Sequence, residues 1–275
     1  MIILLTARPI VINISGDWVS VLLQFLMLVL TIFSVVCAFR AYKHQKDRTK
    51  KDAACNLAKI YANSIIAKYG DLNAIFVASG IADLVRNTLE LRDLRDFDND
   101  ELEKLLKKAN VSKKEFTEKF KKIDPSEILK VRIEKASSVE ERVQLLSFYT
   151  KKKENGEIQI VNGDYLKKDF FSEITDLMNE LEWFAMNCRY GLADEELLYQ
   201  SLHQSFLSTV WMLYYVISEN NVNNEDKFFT NVIWLFIKWR DRLMNITDKK
   251  EARKQEYMNR AASVKAEVFE GTGLK

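Results

Sequence analysis

The sequence predicts a mainly α-helical protein, with one N-terminal transmembrane helix followed by a cytosolic helical bundle that contains a short β insert. Three observations support this fold class. Residues 19–39 include no charged residue, proline or glycine. The whole 275-residue chain has only 2 prolines and 8 glycines, so helix breakers are rare. Apolar residues recur at helical spacing beyond the apolar run, which is typical of helices that pack on a common core.

We divide the chain into five regions. They are an extracytoplasmic segment (1–17), the transmembrane helix (18–42), a juxtamembrane and basic helical region (43–123), a C-terminal helical domain (124–248) and a charged helical tail (249–275). The extracytoplasmic segment has two short apolar runs, which fit a β segment, an interfacial patch or a loose tail. The net charge is only +2, so any basic surface must be local.

Residues 19–39 form the first element. At a helical rise of ~1.5 Å per residue they make a helix about 31 Å long, close to the ~30 Å hydrocarbon thickness of a bilayer. A secretory signal peptide is disfavoured, because the positive charges follow the apolar run and no small-residue cleavage pattern does. A buried core helix is usually shorter and has one polar face.

A basic segment follows the apolar run and orients it. Its members are Arg40, Lys43, Lys46, Arg48, Lys50 and Lys51. By the positive-inside rule, this side of the membrane is cytoplasmic. We therefore predict a single-pass protein whose N-terminus is outside and whose basic segment lies at the anionic headgroups, where each charge contributes about 1 kcal/mol.

Within the apolar run, polar and small residues follow one stripe of the helix. The spacing alternates between four and three residues, as at the a and d positions of a heptad: Ser20, Gln24, Met27, Thr31, Ser34 and Ala38. Lipid offers such side chains no partner, so the stripe is expected to face other helices or water. A single-span chain finds these on other copies of itself or on another protein. We predict a homo-oligomer that uses this stripe as its interface or as a pore lining, and a passive anchor is the alternative.

The cytosolic elements are predicted in chain order. The first helix continues towards Gly70, and a second covers residues 71–91 with Asp71 as its cap. Two short lysine-rich helices follow within residues 104–122, and helices near 127–135 and 139–149 come next. A strand-like insert, EIQIV, lies between two Asn-Gly pairs. Three strong helices close the domain: one ends before Gly191, one is capped by Asp194, and one covers residues 228–244.

Residues 104–122 hold eight lysines and two glutamates. This density predicts contact with a phosphate-bearing ligand, a nucleotide or an oligonucleotide signal, at Lys107, Lys108, Lys113 and Lys114. A solvated helix face is the commoner explanation of such a charge run, because no aromatic platform or binding motif interrupts it. The acidic run beginning at Asp96 is similar to a calcium loop but lacks its glycine and its final glutamate, so helix capping by Asp98 or Asn99 explains it better.

Catalytic motifs are missing from the sequence. There is no P-loop, G-x-G-x-x-G or G-x-S-x-G, and neither His44 nor His203 has a second ligand at metal spacing. We therefore predict no enzyme, no metal and no cofactor. Cys37 lies in the span, and Cys55 and Cys188 are expected to be buried thiols in the reducing cytosol.

The last third of the chain contains a recognisable succession: NELEWFAMNCRYGLADEELLYQSL, an aromatic helix with Trp211, and then WLFIKWRDR. It resembles a family of uncharacterised bacterial membrane-anchored proteins, in which an apolar helix ends before "glycine, aliphatic, x, acid, acid" and a later aromatic helix ends in basic residues. These motifs specify helix packing and not chemistry.

Single-span proteins of this plan resemble the membrane effectors of bacterial antiphage systems. The resemblance implies an oligomeric inner-membrane effector that forms a gated pore and disrupts the membrane in antiviral defence, when its cytosolic domain receives a signal. The alternative is a membrane-tethered scaffold or receptor that recruits a soluble partner protein. No functional residue is transferred with the resemblance.

Overall fold

The computed structural model describes residues 18–155, 157–221 and 227–271, with the side chains of these residues except 18–21, 256, 257 and 259–271. Within them the chain is mainly α-helical with one small antiparallel sheet, which confirms the predicted fold class. The helices are α1 (Trp18–Ile60), α2 (Ile66–Ala78), α3 (Ile81–Thr88), α4 (Asn99–Lys108), α5 (Lys113–Lys121), α6 (Pro125–Lys135), α7 (Val139–Tyr149), α8 (Gly163–Arg189), α9 (Glu195–Asn220) and α10 (Thr230–Gly271). The strands are β1 (Thr150–Lys152) and β2 (Ile158–Ile160).

The chain forms two compact units, Met1–Lys50 and Lys51–Lys275. The described part of the first unit is helical, and its residues 22–49 are exposed. The second unit is a helical bundle with one hydrophobic core, to which residues on both sides of position 124 contribute. The regional boundaries at 43, 124 and 249 stay predictions, and residues 1–17 lie outside the described residues.

A π-helical turn, Tyr61–Ile65, joins α1 to α2. The predicted continuation of the first helix is confirmed, since helical structure runs on to Ala78. The prediction that a new helix starts at Asp71 is wrong, because Asp71 lies inside α2 and accepts a hydrogen bond from Lys135 Nζ at 2.5 Å.

Gly80 divides the predicted helix 71–91 into two. Its φ of 69° is left-handed, a conformation that glycine adopts at no steric cost, and it ends α2 and begins α3. The prediction of a single helix over residues 71–91 is therefore wrong, because the left-handed conformation of Gly80 interrupts it.

Three predicted helix ends are confirmed. The Asp98 side chain accepts from the Glu101 N–H and caps α4, and Asp194 accepts from the Leu197 N–H and caps α9. Gly191 follows α8 in the left-handed region at φ 63°. The last helix begins at Thr230, slightly later than predicted.

The predicted β insert is confirmed as a two-stranded hairpin. β1 and β2 pair antiparallel, with Thr150 opposite Ile160 and Lys152 opposite Ile158. Tyr149, just before the hairpin, is buried, whereas Ile158 is 69% exposed. The hairpin therefore joins the core at its base and faces solvent at its tip.

Aromatic rings of α8, α9 and α10 meet in the core around Trp239. The Trp239 ring centroid lies 5.1 Å from Phe206, 5.6 Å from Tyr199 and 6.1 Å from Phe184, all in edge-to-face arrangements. Such contacts add to the free energy of burial of these large side chains. They make the three long helices the framework on which the other elements pack.

Between α3 and α4, residues 89–98 contain one short 3₁₀ helix, Leu91–Asp93, and are otherwise irregular, and they pack against this framework. Their carbonyl oxygens accept hydrogen bonds from side chains of α9, of α10 and of the connection between them: Trp211 to Leu89, Arg240 to Leu94, Lys227 to Asp96 and Asn221 to Phe97. Arg240 is 1% exposed and Asn221 is fully buried. These bonds replace the helix or sheet ladder that the segment lacks.

The Glu101 carboxylate accepts hydrogen bonds from backbone N–H groups of the same segment. It accepts from the backbone N–H of Arg95 at 2.6 Å and of Phe97 at 2.8 Å, and from the Tyr214 hydroxyl at 2.7 Å. Glu101 is only 8% exposed. Burial, followed by the neighbouring Glu101 charge and its hydrogen bond, raises the pKa of Tyr214, so the phenol stays a donor.

We expect Glu101→Leu to lower the free energy of unfolding by about 2–4 kcal/mol, because it leaves two buried donors, the Phe97 N–H and the Tyr214 hydroxyl, and the part-buried Arg95 N–H without an acceptor. Glu103→Leu is the matched control on the same helix: the Glu103 side chain is 63% exposed, so its replacement should change stability by less than about 0.5 kcal/mol. Thermal unfolding of both variants in detergent measures the difference. Equal effects would show that the carboxylate does not hold the segment.

Candidate functional site

The apolar part of α1 is the first candidate site. Among the described residues, one helix is long and apolar enough to cross a membrane, and its most apolar stretch has a mean hydropathy of 2.5. None of that stretch is buried within the protein. Exposed side chains there include Leu22 at 70%, Phe25 at 66% and Phe39 at 69%. An apolar surface of this length needs lipid or another protein to cover it.

The predicted stripe lies on this exposed helix. Gln24, Met27, Thr31, Ser34 and Ala38 are all exposed, and the side chain of Ser20 lies outside the described residues. The Thr31 hydroxyl donates to the Met27 carbonyl at 2.8 Å, a bond within the helix. This bond reduces the cost of placing Thr31 against lipid, because its donor already has an acceptor.

The basic segment continues on the same helix. Arg40, Lys43, Lys46 and Arg48 are exposed, Lys50 is half-buried and Lys51 is exposed. These residues lie within slightly more than three turns of α1 directly after the apolar stretch. Such a cluster can bind anionic headgroups if the apolar stretch crosses a bilayer.

The four lysines predicted to bind phosphate do not converge on one site. Lys108 Nζ lies 2.7 Å from an Asp93 carboxylate oxygen. Lys113 Nζ contacts three acceptors, at 3.1 Å from Asn99, 3.5 Å from Glu103 and 3.7 Å from Glu219. Lys107 is exposed on α4 and Lys114 lines a cavity beside α5. The ion pairs of Lys108 and Lys113 favour the solvated-face interpretation for those two residues.

The cavity beside α5 has a volume of about 780 Å³ and mixed charge. Three lysines and four acids line it: Lys114, Lys119, Lys122, Glu115, Glu118, Asp124 and Glu127. Two of the acids already have partners, since Glu118 pairs with Lys122 at 2.9 Å and Asp124 caps α6. The lining therefore lacks the excess of positive charge that a polyphosphate would need.

The cysteines differ from each other. Cys188 is buried as predicted, and burial raises the pKa of its thiol to about 12, so it stays protonated and unreactive at neutral pH. Cys55 is exposed on α1, and the prediction that it is buried is wrong. Cys55 adjoins the buried residue Ala54, and sequence spacing did not show which of the two faces the core.

Acids and bases of the resembling motifs form one cluster between α9 and α10. Glu195 accepts from Lys238 Nζ and from the Trp239 indole N–H. Glu196 accepts hydrogen bonds from both terminal nitrogens of Arg242, each at 2.6 Å. The Arg242 guanidinium also lies 3.7 Å from the centre of the Tyr199 ring. The sequence analysis did not predict these ion pairs, although the basic end of WLFIKWRDR supplies both cations.

Exposed apolar residues also occur outside the span, at two places in the second unit. Val139, Val143 and Leu146 follow one face of α7 and are 69%, 57% and 37% exposed. Trp183 and Tyr190 of the α8 end are 43% and 67% exposed. A helical repeat of apolar residues normally predicts burial, so their exposure was not anticipated.

The described residues contain no group of three or more His, Cys, Asp or Glu side chains arranged to hold a metal ion. No family model matches the chain, no curated protein matches it, and no solved structure matches it. The function of this chain is therefore inferred from the contacts of its own residues.

Hydrogen bonds from Arg242, and then from Gln200, lower the pKa of Glu196 from 4.5 to about 2. A carboxylate whose pKa falls on folding adds stability above its unfolded pKa and loses it as pH falls towards its folded pKa. We expect Glu196→Gln to be less stable than wild type above pH 4.5, with the difference shrinking between pH 4.5 and about 2. Melting temperatures across that range measure it, and a pH-independent difference would contradict the ion pair.

Proposed function

We propose that this protein is an oligomeric inner-membrane effector, with its N-terminus outside and its second unit in the cytoplasm. Its spans would associate and open a pore when the cytosolic unit receives a signal. The observation that supports this most is the exposed apolar helix, which has a mean hydropathy of 2.5 and no buried residue in its most apolar stretch. The resemblance to antiphage effectors supplies the setting, bacterial antiviral defence.

Association through the stripe follows from the polarity of the span. Gln24 carries an amide with two donor hydrogens and one acceptor oxygen, and lipid satisfies neither. A neighbouring copy that turns its own stripe inward supplies complementary groups. In a ring of three or more copies the same groups line a narrow polar path.

The proposed signal has a less specific basis. Lys107 and Lys114 remain candidates for a phosphate-bearing ligand, whereas Lys108 and Lys113 already contact acids. The mixed charge of the cavity beside α5 equally suits a partner protein. We therefore propose that the second unit receives the signal, and we do not assign the signal to one chemical class.

Gln24→Leu and Thr31→Leu should abolish ion flux from liposomes that contain the purified protein, because each removes a polar group from the stripe. Val29→Leu and Val36→Leu are matched controls on the opposite helix face, and they should leave flux unchanged. Mass measurement in detergent should show a smaller assembly for the stripe variants alone. Flux that survives both stripe substitutions would eliminate the pore.

The second candidate is a membrane-tethered scaffold that recruits a soluble partner. The exposed apolar residues of α7 and of the α8 end favour it, since such residues are enriched where proteins bind each other. In this case the span is only an anchor.

Replacing residues 18–42 with an unrelated transmembrane helix separates the two candidates. A scaffold keeps its function after the exchange, because it needs only attachment to the membrane. A pore loses flux completely, because the stripe is gone. Growth of cells that express each protein, measured together with membrane permeability, gives the readout.

A further inference from the structure

The helix that begins at Trp18 contains a π turn in its continuation beyond Ile60. The backbone N–H of Ile66 donates to the Tyr61 carbonyl, five residues earlier, and the turn covers Tyr61–Ile65. A π turn accommodates one residue more than the α-helix around it, and such turns are frequent at functional sites. The turn sequence, YANSI, has no proline or glycine that would impose it.

Contacts with α8 hold this turn. Tyr61 is fully buried, and its ring centroid lies 4.8 Å from that of Phe184. The Ser64 hydroxyl donates to a Glu180 carboxylate oxygen at 2.7 Å, and Lys68 donates to the other oxygen at 2.6 Å. Ser64 lies within the turn whereas Lys68 lies in regular α2, so only the Ser64 contact depends on the turn.

Two residues before the turn are buried in the core. Ala54 and Leu57 are buried at 0% and 4% exposure. If the π turn became an α turn, every residue before it would rotate by about 100° and move by about 1.5 Å along the helix. Cys55 and Ala58 would then occupy the positions of Ala54 and Leu57.

Neither exchange brings a charge into these two positions. The smaller Ala58 fills less space than Leu57, and Tyr61 gives up its contact with Phe184. These losses explain why the π register is the one observed. A ligand or partner that binds the α register more tightly would shift the balance.

We propose that the Tyr61–Ile65 turn is a two-state switch, which changes the helical phase of the preceding residues by one position when it converts between π and α geometry. This proposal rests on the proposed function only for its consequence, which is that the change of phase would rotate the stripe about the axis of α1. The switch itself is independent of whether the span conducts ions.

Cys55 reports the register, because it is exposed in the π form and would be buried in the α form. Cys188 is buried, and its thiol has a pKa raised to about 12, so Cys37→Ala leaves Cys55 as the reactive thiol. We expect Ser64→Ala to change maleimide labelling of Cys55 in the full chain in detergent by less than about twofold, because the π register stays the major one. A reporter moved to the buried site, Ala54→Cys with Cys55→Ala, labels only from the minor α register, so Ser64→Ala should raise its labelling rate by about threefold or more.

Ser137→Ala is the matched control. The Ser137 hydroxyl donates to a Glu141 carboxylate oxygen at 2.8 Å, so its loss removes the same kind of bond far from the turn in sequence. Both labelling rates should stay unchanged in this variant. Unchanged labelling of the Ala54→Cys reporter in Ser64→Ala as well would overturn the switch.

Deleting Ala62, an exposed residue of the turn, removes the extra residue and leaves the flanking helices in their present phase. We expect this variant to melt within about 4 °C of the parent, and to keep the Ala54→Cys reporter slow to label even with Ser64→Ala. Deleting Asp176, an exposed residue of the regular helix α8, should lower the melting temperature by more than about 10 °C, because it rotates buried side chains away from the core.

Two outcomes of the deletion contradict the switch: equal loss of stability in both deletion variants, or faster labelling of the Ala54→Cys reporter with Ser64→Ala that persists without Ala62. The labelling result also separates this proposal from the pore. A protein that shows the register change and no ion flux keeps the switch and loses the pore.

Discussion

The irregular segment between α3 and α4 is the constraint on which the second unit depends. Buried backbone groups must be paired, and residues 89–98 have no ladder to pair with. Side chains of α9, of α10 and of their connection bind its carbonyls, and the Glu101 carboxylate binds its N–H groups. α4 and α5 are thereby fixed to the long helices, so the lysine-rich surface rests on a network of buried polar contacts.

The same network shows why the lysine-rich surface is less available than its sequence indicates. Fixing α4 brings Lys108 to Asp93 and Lys113 to Glu103 and Glu219. These acids come from the irregular segment, from α4 itself and from α9. A count of charges along residues 104–122 cannot include acids that are distant in sequence, which is why the density of lysine overstated the positive field.

Local chemistry predicted three helix ends and the hairpin. Asp98, Asp194 and Gly191 act within one turn of themselves, so neighbouring residues were sufficient to assign them. Positions whose role depends on tertiary contacts were missed. Asp71 is a residue type that often caps helices, but here it lies inside α2. Cys55 and Ala54 are neighbours on α1, and only the packing of α1 decides that Ala54 faces the core and Cys55 does not. The π turn leaves no trace in the sequence, because its cause is contact with α8.

The residues of the stripe differ in how strongly they favour association between spans. The Thr31 hydroxyl donates to Met27 within the helix, so a lipid-facing Thr31 costs little. Serine hydroxyls have the same option, since a carbonyl four residues earlier is always within reach in a helix. The amide of Gln24 has two donor hydrogens and an acceptor, and one such carbonyl cannot satisfy all of them. The physical case for association between spans therefore rests mainly on Gln24, and the hydroxyls add the regular spacing that would let neighbouring copies approach along the same face.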